Sequence, residues 1–276
     1  MRIAYLGPAG TFTEDALGEA ARGEFEPLRT ATIHDAILAV QNGEAERALV
    51  PFENSIEGSV RGTLDTLAFE AEAVTIVGEH DYAVRAHLIG REAIDLGEVE
   101  AVLSHQQPLA QCARFLREQL PGVELRSVSS TAAAVRMVAE SVRPWVAIGS
   151  RAAAKLYGCA ILREGIQDET DNVTRFVWIA PAGTEPVGDG PWKTSLVFSE
   201  LGEDHPGALV NALREFSDRE VNLSRIESRP MRSGLGRYMF FCDLDGAATD
   251  TVVAEAIAAL RTKAESVRLL GSYPVG

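Results

Sequence analysis

The sequence predicts an α/β protein in two parts: a two-lobed domain over residues 1–181, then a small βαββαβ sandwich over 193–272. Three observations carry this. Short apolar runs alternate with amphipathic segments from the N-terminus onward, as a sheet covered by helices requires. Pro181 to Pro191 holds three prolines and three glycines with no hydrophobic periodicity, which reads as a linker, placed at 182–192. Beyond it, strand and helix signals follow one another in the order βαββαβ, the ferredoxin-like arrangement.

Taken in order, Arg2 to Leu6 reads as a strand, Glu14 to Arg22 as a helix, Ile33 to Asn42 as a helix closed by Gly43, and Ala48 to Pro51 as a buried strand. Thr13 and Thr32 stand where N-caps belong, with Glu14, Asp15 and Asp35 in first turns, where the helix dipole favours acids. Strands follow near Val74 to Val77, Tyr82 to Ile89 and Val99 to Ser104. A helix Pro108 to Leu120, a strand Leu125 to Val128, a helix Thr131 to Ser141 and strands Trp145 to Gly149 and Ala160 to Leu162 come next. The chain then reaches an apolar strand, Val173 to Ala180. Two lobes with a crossing connection result, one from 1–75 plus 163–181 and one from 76–162, and a cleft between lobes is the natural binding site. After the linker come strand Lys193 to Phe198, helix Gly207 to Arg219, strands Leu223 to Ser228 and Arg237 to Leu244, helix Thr249 to Lys263 and strand Ser266 to Leu270.

Composition narrows the function. With 40 acidic against 26 basic residues the net charge is -14, so nucleic acid and anionic membrane surfaces are repelled at long range. An anionic ligand therefore needs a local cluster of donors. The three cysteines, Cys112, Cys159 and Cys242, have no metal-ligand spacing and read as reduced, buried thiols. The N-terminus enters a strand without a charged and apolar leader, and no long uncharged apolar run follows, so a cytoplasmic location and no membrane span are expected. His34, His80, His87, His105 and His205 show no ligand spacing, and no serine triad or nucleophile elbow appears. No metal and no cofactor are expected, and any chemistry must come from placed hydrogen-bond donors.

The most informative stretch is Asp171-Asn172-Val173-Thr174-Arg175-Phe176, which packs an amide, a hydroxyl and a guanidinium into the start of a strand. Alternation sends Thr174 and Phe176 to one face and Arg175 to the other. A hydroxyl and a cation at one strand end suit a small anionic substrate. Four strand-to-helix turns repeat the theme. Gly7 to Thr13, including Thr11, offers glycines and a helix N-terminus to an anion but lacks the spacing of a nucleotide loop. Pro51 to Val60 brings Glu53, Asn54, Ser55 and Gly58 to the carboxyl end of a buried strand, where α/β sheets bind ligands. Ser104 to Cys112, with Gln111, and Ser129 to Ala134, with Ser130 and Thr131, complete the set; Ile148 to Arg151 resembles them.

These segments, in this order, resemble the prephenate dehydratases, two-lobed enzymes with a periplasmic-binding-protein-like catalytic domain. The C-terminal unit resembles an ACT regulatory domain through His205-Pro206-Gly207-Ala208-Leu209-Val210 and Glu227-Ser228-Arg229-Pro230. The resemblance covers essentially the whole chain, departing from the usual pattern at Gln106 and Arg232. It implies decarboxylating dehydration of prephenate to phenylpyruvate, a step of phenylalanine biosynthesis, with Thr174 hydrogen-bonding the departing hydroxyl and Arg175 holding a carboxylate. Asn54, Ser104 and Gln111 match positions implicated in catalysis; Thr11, Glu53, Ser55, Gly58, Ser130, Thr131 and Phe176 fall to substrate binding. It further implies that phenylalanine binds between ACT domains of neighbouring subunits near Gly207, Ala208, Leu209, Val210, Asn222, Leu223, Glu227, Ser228, Arg229 and Pro230. A homodimer or homotetramer through these domains follows. No helical chorismate mutase domain precedes Met1, so a single activity is expected. Three alternatives stay open on the residues: an arogenate dehydratase, a non-catalytic amino-acid sensor, and a solute-binding protein.

Overall fold

The computed structural model describes residues 1–186, 188–202 and 206–275, so His205 of the expected effector motif lies outside the described residues. The first lobe is built from β1 (Arg2–Leu6), α1 (Phe12–Ala20), β2 (Glu26–Thr30), α2 (Ile33–Gln41), β3 (Arg47–Asn54), the short β4 (Gly58–Ser59), α3 (Arg61–Phe69) and β5 (Val74–Ala83). The second contains β6 (His87–Gly90), β7 (Ala101–Ser104), α4 (Gln106–Gln111), α5 (Ala113–Gln119), β8 (Glu124–Ser127), α6 (Thr131–Glu140), β9 (Trp145–Gly149), α7 (Arg151–Tyr157) and β10 (Ala160–Arg163). The chain returns to the first lobe as β11 (Val173–Pro181). The C-terminal unit is β12 (Trp192–Ser199), α8 (Ala208–Ser217), β13 (Leu223–Pro230), β14 (Tyr238–Asp245), α9 (Thr251–Leu260) and β15 (Ser266–Pro274), in the expected βαββαβ order.

Hydrophobic pattern explains most of these elements. On α6, Thr131, Ala132, Ala134, Val135 and Val138 are buried, a helical stripe that packs on the second sheet, and the Ser130 hydroxyl accepts from the Ala133 N–H to cap it. Thr32 caps α2 as expected, accepting from the Asp35 N–H at 3.0 Å. The cap of α1 is corrected: the helix begins at Phe12 with Thr11 as N-cap residue, because the Thr11 carbonyl takes the N–H groups of Glu14 and Asp15, and Thr13 is buried in the first turn. The single helix expected over 108–120 is also corrected. It breaks at Cys112, and the Asp168 carboxylate accepts from the Arg114 N–H to start α5 afresh. A long-range cap of this kind leaves no local mark in a sequence. The strand β2, Glu-Pro-Leu-Arg-Thr, was not expected because an edge strand with mostly exposed side chains lacks apolar alternation.

The first-lobe sheet runs β2-β1-β3-β11-β5, and the second-lobe sheet β10-β6-β9-β7-β8. All of β5 pairs antiparallel with β11, from Val173 opposite Ala83 to Pro181 opposite Val74, so the crossing between lobes falls after Ala83 rather than at 75–76. The C-terminal sheet, β13-β14-β12-β15, is not a separate layer. Its β15 lies parallel beside β5 with Gly271 opposite Ile76, which joins it to the first-lobe sheet. A side chain at Gly271 would collide with the Ile76 carbonyl, so only glycine admits this approach. Residues from both parts, among them Ile37, Phe52, Leu64, Ile76, Val197, Phe241 and Tyr273, share one apolar core. Among the described residues no helix is long and apolar enough to cross a membrane, and the three cysteines are free.

Candidate active site

A cavity of about 640 Å³ opens between the lobes. Its walls are the β1-to-α1 turn, the facing ends of β3 and β11, the start of α4 and the N-terminus of α6. Of the residues expected at a substrate site, Thr11, Asn54, Gln111, Ser130, Thr131, Thr174 and Phe176 line it. Phe176 is 2% exposed and meets Tyr82 edge-to-face with ring centroids 6.3 Å apart; Tyr82 in turn contacts Phe12, and Phe12 and Phe176 form an apolar wall of the cleft. No carboxylate lines the cleft among the described residues.

The donors are oriented by a chain of hydrogen bonds that begins in the backbone. Ile56 and Glu57 donate their N–H groups to Asn54 Oδ1 at 3.0 and 2.9 Å, which fixes the way this amide faces. Asn54 Nδ2 then donates to Thr174 Oγ1 at 2.9 Å and to Asn172 Oδ1 at 2.7 Å. Because the Thr174 oxygen is already accepting, its own proton is left for the cleft. Asn172, 2% exposed, passes the polarity on: its Nδ2 donates to Gln111 Oε1 at 3.4 Å, and Gln111 Nε2 is buried without a partner. Thr11 Oγ1 is also buried and unpartnered at the cleft, since this N-cap residue makes no side-chain cap. Thr174, Gln111 and Thr11 therefore border one cavity, and Gln111 Nε2 and Thr11 Oγ1 have no partner among the described residues, an arrangement suited to negative charge on a bound molecule.

The prephenate dehydratase family model matches residues 3–184, the span that carries this cleft, and the ACT domain model matches 200–262. The chain belongs to the prephenate dehydratase family. These enzymes are carbon–oxygen lyases, and curated relatives bear the family name, as in Mycobacterium marinum: 40% identity over 284 residues, covering 100% of this chain and 89% of the relative. The Arthrobacter aurescens prephenate dehydratase, solved in complex with L-Phe, superposes with TM-score 0.91 at 39% identity, over 99% of this chain and 90% of that one. GqqA, described as a novel type of quorum-quenching acylase, superposes with TM-score 0.88 at 31% identity, over 100% and 98%.

Several residues that the family resemblance assigned to the site lie elsewhere. Ser104 is fully buried at the end of β7, donates to the Ile148 carbonyl at 2.8 Å and does not line the cleft. Ser55 ties the loop after β3 to β11, donating to the Asp171 carbonyl and accepting from the Val173 N–H. Gly58, with φ +79°, makes the tight return into β4. Glu53 and Arg175 point away from the cleft: the Arg175 guanidinium meets Asp243 of β14 at 2.6 Å and Glu53 at 3.3 Å. The alternation that sends Thr174 inward sends Arg175 to the C-terminal domain, so the expected carboxylate-holding role is corrected by its position.

Among the lining residues not assigned to the site from sequence are four polar ones, His105, Arg136, Tyr157 and Asn172. Asn172 was legible as an amide beside Thr174 but not as the link to Gln111, because Gln111 is brought in from 61 residues away. His105 caps α4 through Nδ1, accepting from the Gln107 N–H, and also borders the cleft. Arg136 sits on α6 beyond its capped N-terminus, and no salt bridge engages it among the described residues. A cation on an exposed helix face carries no sequence mark that separates it from an ordinary surface charge.

In the ACT domain, Gly207 is the N-cap residue of α8 with φ +90°. The register places Ser199, at the end of β12, beside Met239 and Met239 beside Arg229, so Gly207 to Val210 and Ser228 to Pro230 sit at one end of the sheet. Asn222 and Leu223 lie at the other, where Leu223 pairs with Leu244. One chain does not bring the expected effector residues together. Arg229 itself clamps Asp65 of α3, donating at 2.7 and 2.9 Å, with Arg232 on the same carboxylate.

Proposed function

We propose that the cleft converts prephenate to phenylpyruvate, and that phenylalanine regulates the step through the ACT domain. The observation that carries the reading is the Thr174 hydroxyl, which lines the cleft and whose oxygen accepts from the Asn54 amide, leaving its own proton free for a bound acceptor. In the reaction the ring carbon–oxygen bond breaks while the bond to the ring carboxylate breaks, releasing carbon dioxide, and that electron pair makes the ring aromatic. The leaving oxygen gathers negative charge, and Thr174 donates a hydrogen bond to it. A threonine hydroxyl is a weak acid, so it stabilises charge rather than surrendering its proton, and the hydroxide leaves to solvent, where hydronium or buffer acid neutralises it. Gln111 Nε2 and Thr11 Oγ1 meet the carboxylates, supported by the N-terminus of α6 and by Arg136. Phe12 and Phe176 cover the ring.

The absence of a carboxylate among the described lining residues favours prephenate over arogenate, whose ammonium group would find no counter-charge here. The Asn54-to-Thr174 bond also counts against acyl transfer, because donation into the Thr174 oxygen lowers its nucleophilicity. The retained cleft donors favour an enzyme over a sensor. For regulation, support comes from the ACT match and from the L-Phe complex of the A. aurescens relative. The edge strand β13 has an unpaired side and exposes Ile226. Two copies paired antiparallel along β13 would bring Asn222 and Leu223 of one chain to Ser228 to Pro230 of the other. This supports a homodimer with effector sites between subunits, and a cytoplasmic location suits its free cysteines. The test is phenylpyruvate formation from prephenate, with arogenate in parallel; no turnover of prephenate by folded protein would defeat the reading.

A further inference from the structure

The face of β11 opposite Thr174 carries a set of charges drawn from both domains. Arg175 Nη2 meets Asp243 Oδ2 at 2.6 Å and Nη1 meets Glu79 Oε2 at 3.4 Å, while Lys193 Nζ bonds Glu79 at 2.7 Å. The other Asp243 oxygen accepts from Ser195 Oγ at 2.6 Å, and Ser195 shares a bond of 2.8 Å with Tyr273. The Asp243 and Glu79 side chains are 1% and 4% exposed. Burial opposes the charge on Arg175, but Asp243, with Tyr273 and Glu79, more than reverses this, so the guanidinium is held protonated. Phe52, the residue that bulges from β3 where Arg175 pairs with Glu53 and Phe176 with Pro51, lies under the guanidinium groups of both Arg175 and Arg225 at 4.8 and 5.0 Å.

These contacts follow a line across the sheet. Arg225 of the edge strand β13 is in register with Asp243, Asp243 with Ser195, Ser195 with Gly271, and Gly271 with Ile76 of β5. Arg225 also reaches the first lobe directly, donating to Ser59 at 2.6 Å and meeting Glu53 at 3.4 Å. The strand on which the proposed effector acts is thus linked, through Glu53 and Asp243, to the residue that follows Thr174.

We propose that Arg175 is a positioning residue, through which Asp243 of the C-terminal domain sets the placement of Thr174 and by which a shift of that domain alters turnover without any group entering the cleft. This rests on the reading of the chain as a phenylalanine-regulated dehydratase. A small displacement of a catalytic donor is enough to cost about 10- to 100-fold in rate.

The experiment is a double-mutant cycle of Arg175→Gln and Asp243→Asn, reading kcat, KM for prephenate and the phenylalanine concentration for half-inhibition, well below each variant's unfolding midpoint. Each single change is expected to lower kcat by about 10- to 100-fold with KM nearly unchanged, and the double variant to lose no more than either single one. Asp243→Asn is also expected to move half-inhibition by about fivefold or more. An unchanged kcat in folded Asp243→Asn overturns the proposal, as do additive losses or a raised KM at unchanged kcat, which would return Arg175 to substrate contact. Should Asp243→Asn not fold, Ser195→Ala removes the second support of Asp243 together with the bond to Tyr273, and an unaltered kcat and inhibition there overturns it equally. Inactivity of the parent protein defeats the functional reading itself. A parent that is active but blind to phenylalanine defeats only its regulatory part, and the kcat cycle still decides the role of Arg175.

Discussion

Asn54 and Thr174, 120 residues apart, meet at 2.9 Å with the amide as donor. The direction matters more than the distance. Two backbone N–H groups hold the Asn54 oxygen, so the amide nitrogen faces Thr174, and the threonine proton is left free for an acceptor in the cleft.

Thr174→Ala is therefore expected to lower kcat for phenylpyruvate formation by about 10²- to 10³-fold, the cost of one placed donor, while Thr174→Ser keeps most of the rate. Asn54→Asp keeps the shape but turns the acceptor around: a carboxylate oxygen would draw the Thr174 proton away from substrate. Its loss is expected to approach that of Thr174→Ala, and near-normal kcat in Asn54→Asp would disprove the assigned polarity.

Thr11→Val removes an unpartnered hydroxyl at constant volume. Since Thr11 Oγ1 has no hydrogen-bond partner among the described residues, folding stability is expected to stay the same, while KM for prephenate rises about tenfold or more, as for a lost hydrogen bond to a charged group. Calorimetry and steady-state kinetics on one sample check both halves.

Gly271→Ala places a side chain against the Ile76 carbonyl where the two sheets join. It is expected to cost about 1–3 kcal/mol, the usual range for overpacking, read by denaturant titration. The change should loosen the β15–β5 contact before it disturbs the cleft.

His87 on β6 is 4% exposed and burial pushes its pKa down, assisted by the charges of Arg151 and Arg85 and opposed by Glu164. A histidine held neutral when folded binds protons better unfolded, so its contribution is complete above about pH 6.5 and is lost progressively as pH falls below that. Unfolding midpoints are expected to drop between about pH 6.5 and 5, and His87→Gln to flatten that slope. An equal slope in the variant would assign the loss to other groups.

Much of this was legible in the residues. Period-two and helical apolar patterns marked strands and helices of both lobes and the βαββαβ unit, because burial of a contiguous face is a local property. The ordered turns around Thr11, Asn54, Gln111, Ser130 and Thr174 announced a site for an anion, and all of these line one cleft. Ser104, Ser55 and Glu53 looked equivalent to them in sequence and were not. Whether a hydroxyl faces ligand or satisfies a carbonyl, as Ser104 does at Ile148, depends on a partner strand that the local sequence does not name.

By itself the sequence determined most of the element types, the family and the residue kinds available for catalysis, since each rests on short-range pattern. Tertiary structure alone decided which donors stay unpartnered, that Asp168 breaks a helix at Cys112, and that Arg175 belongs to Asp243 rather than to substrate. The physical reason is the same in each case. Hydrogen-bond and charge satisfaction is a contest among groups far apart in the chain, and its outcome exists only once the strands are in register.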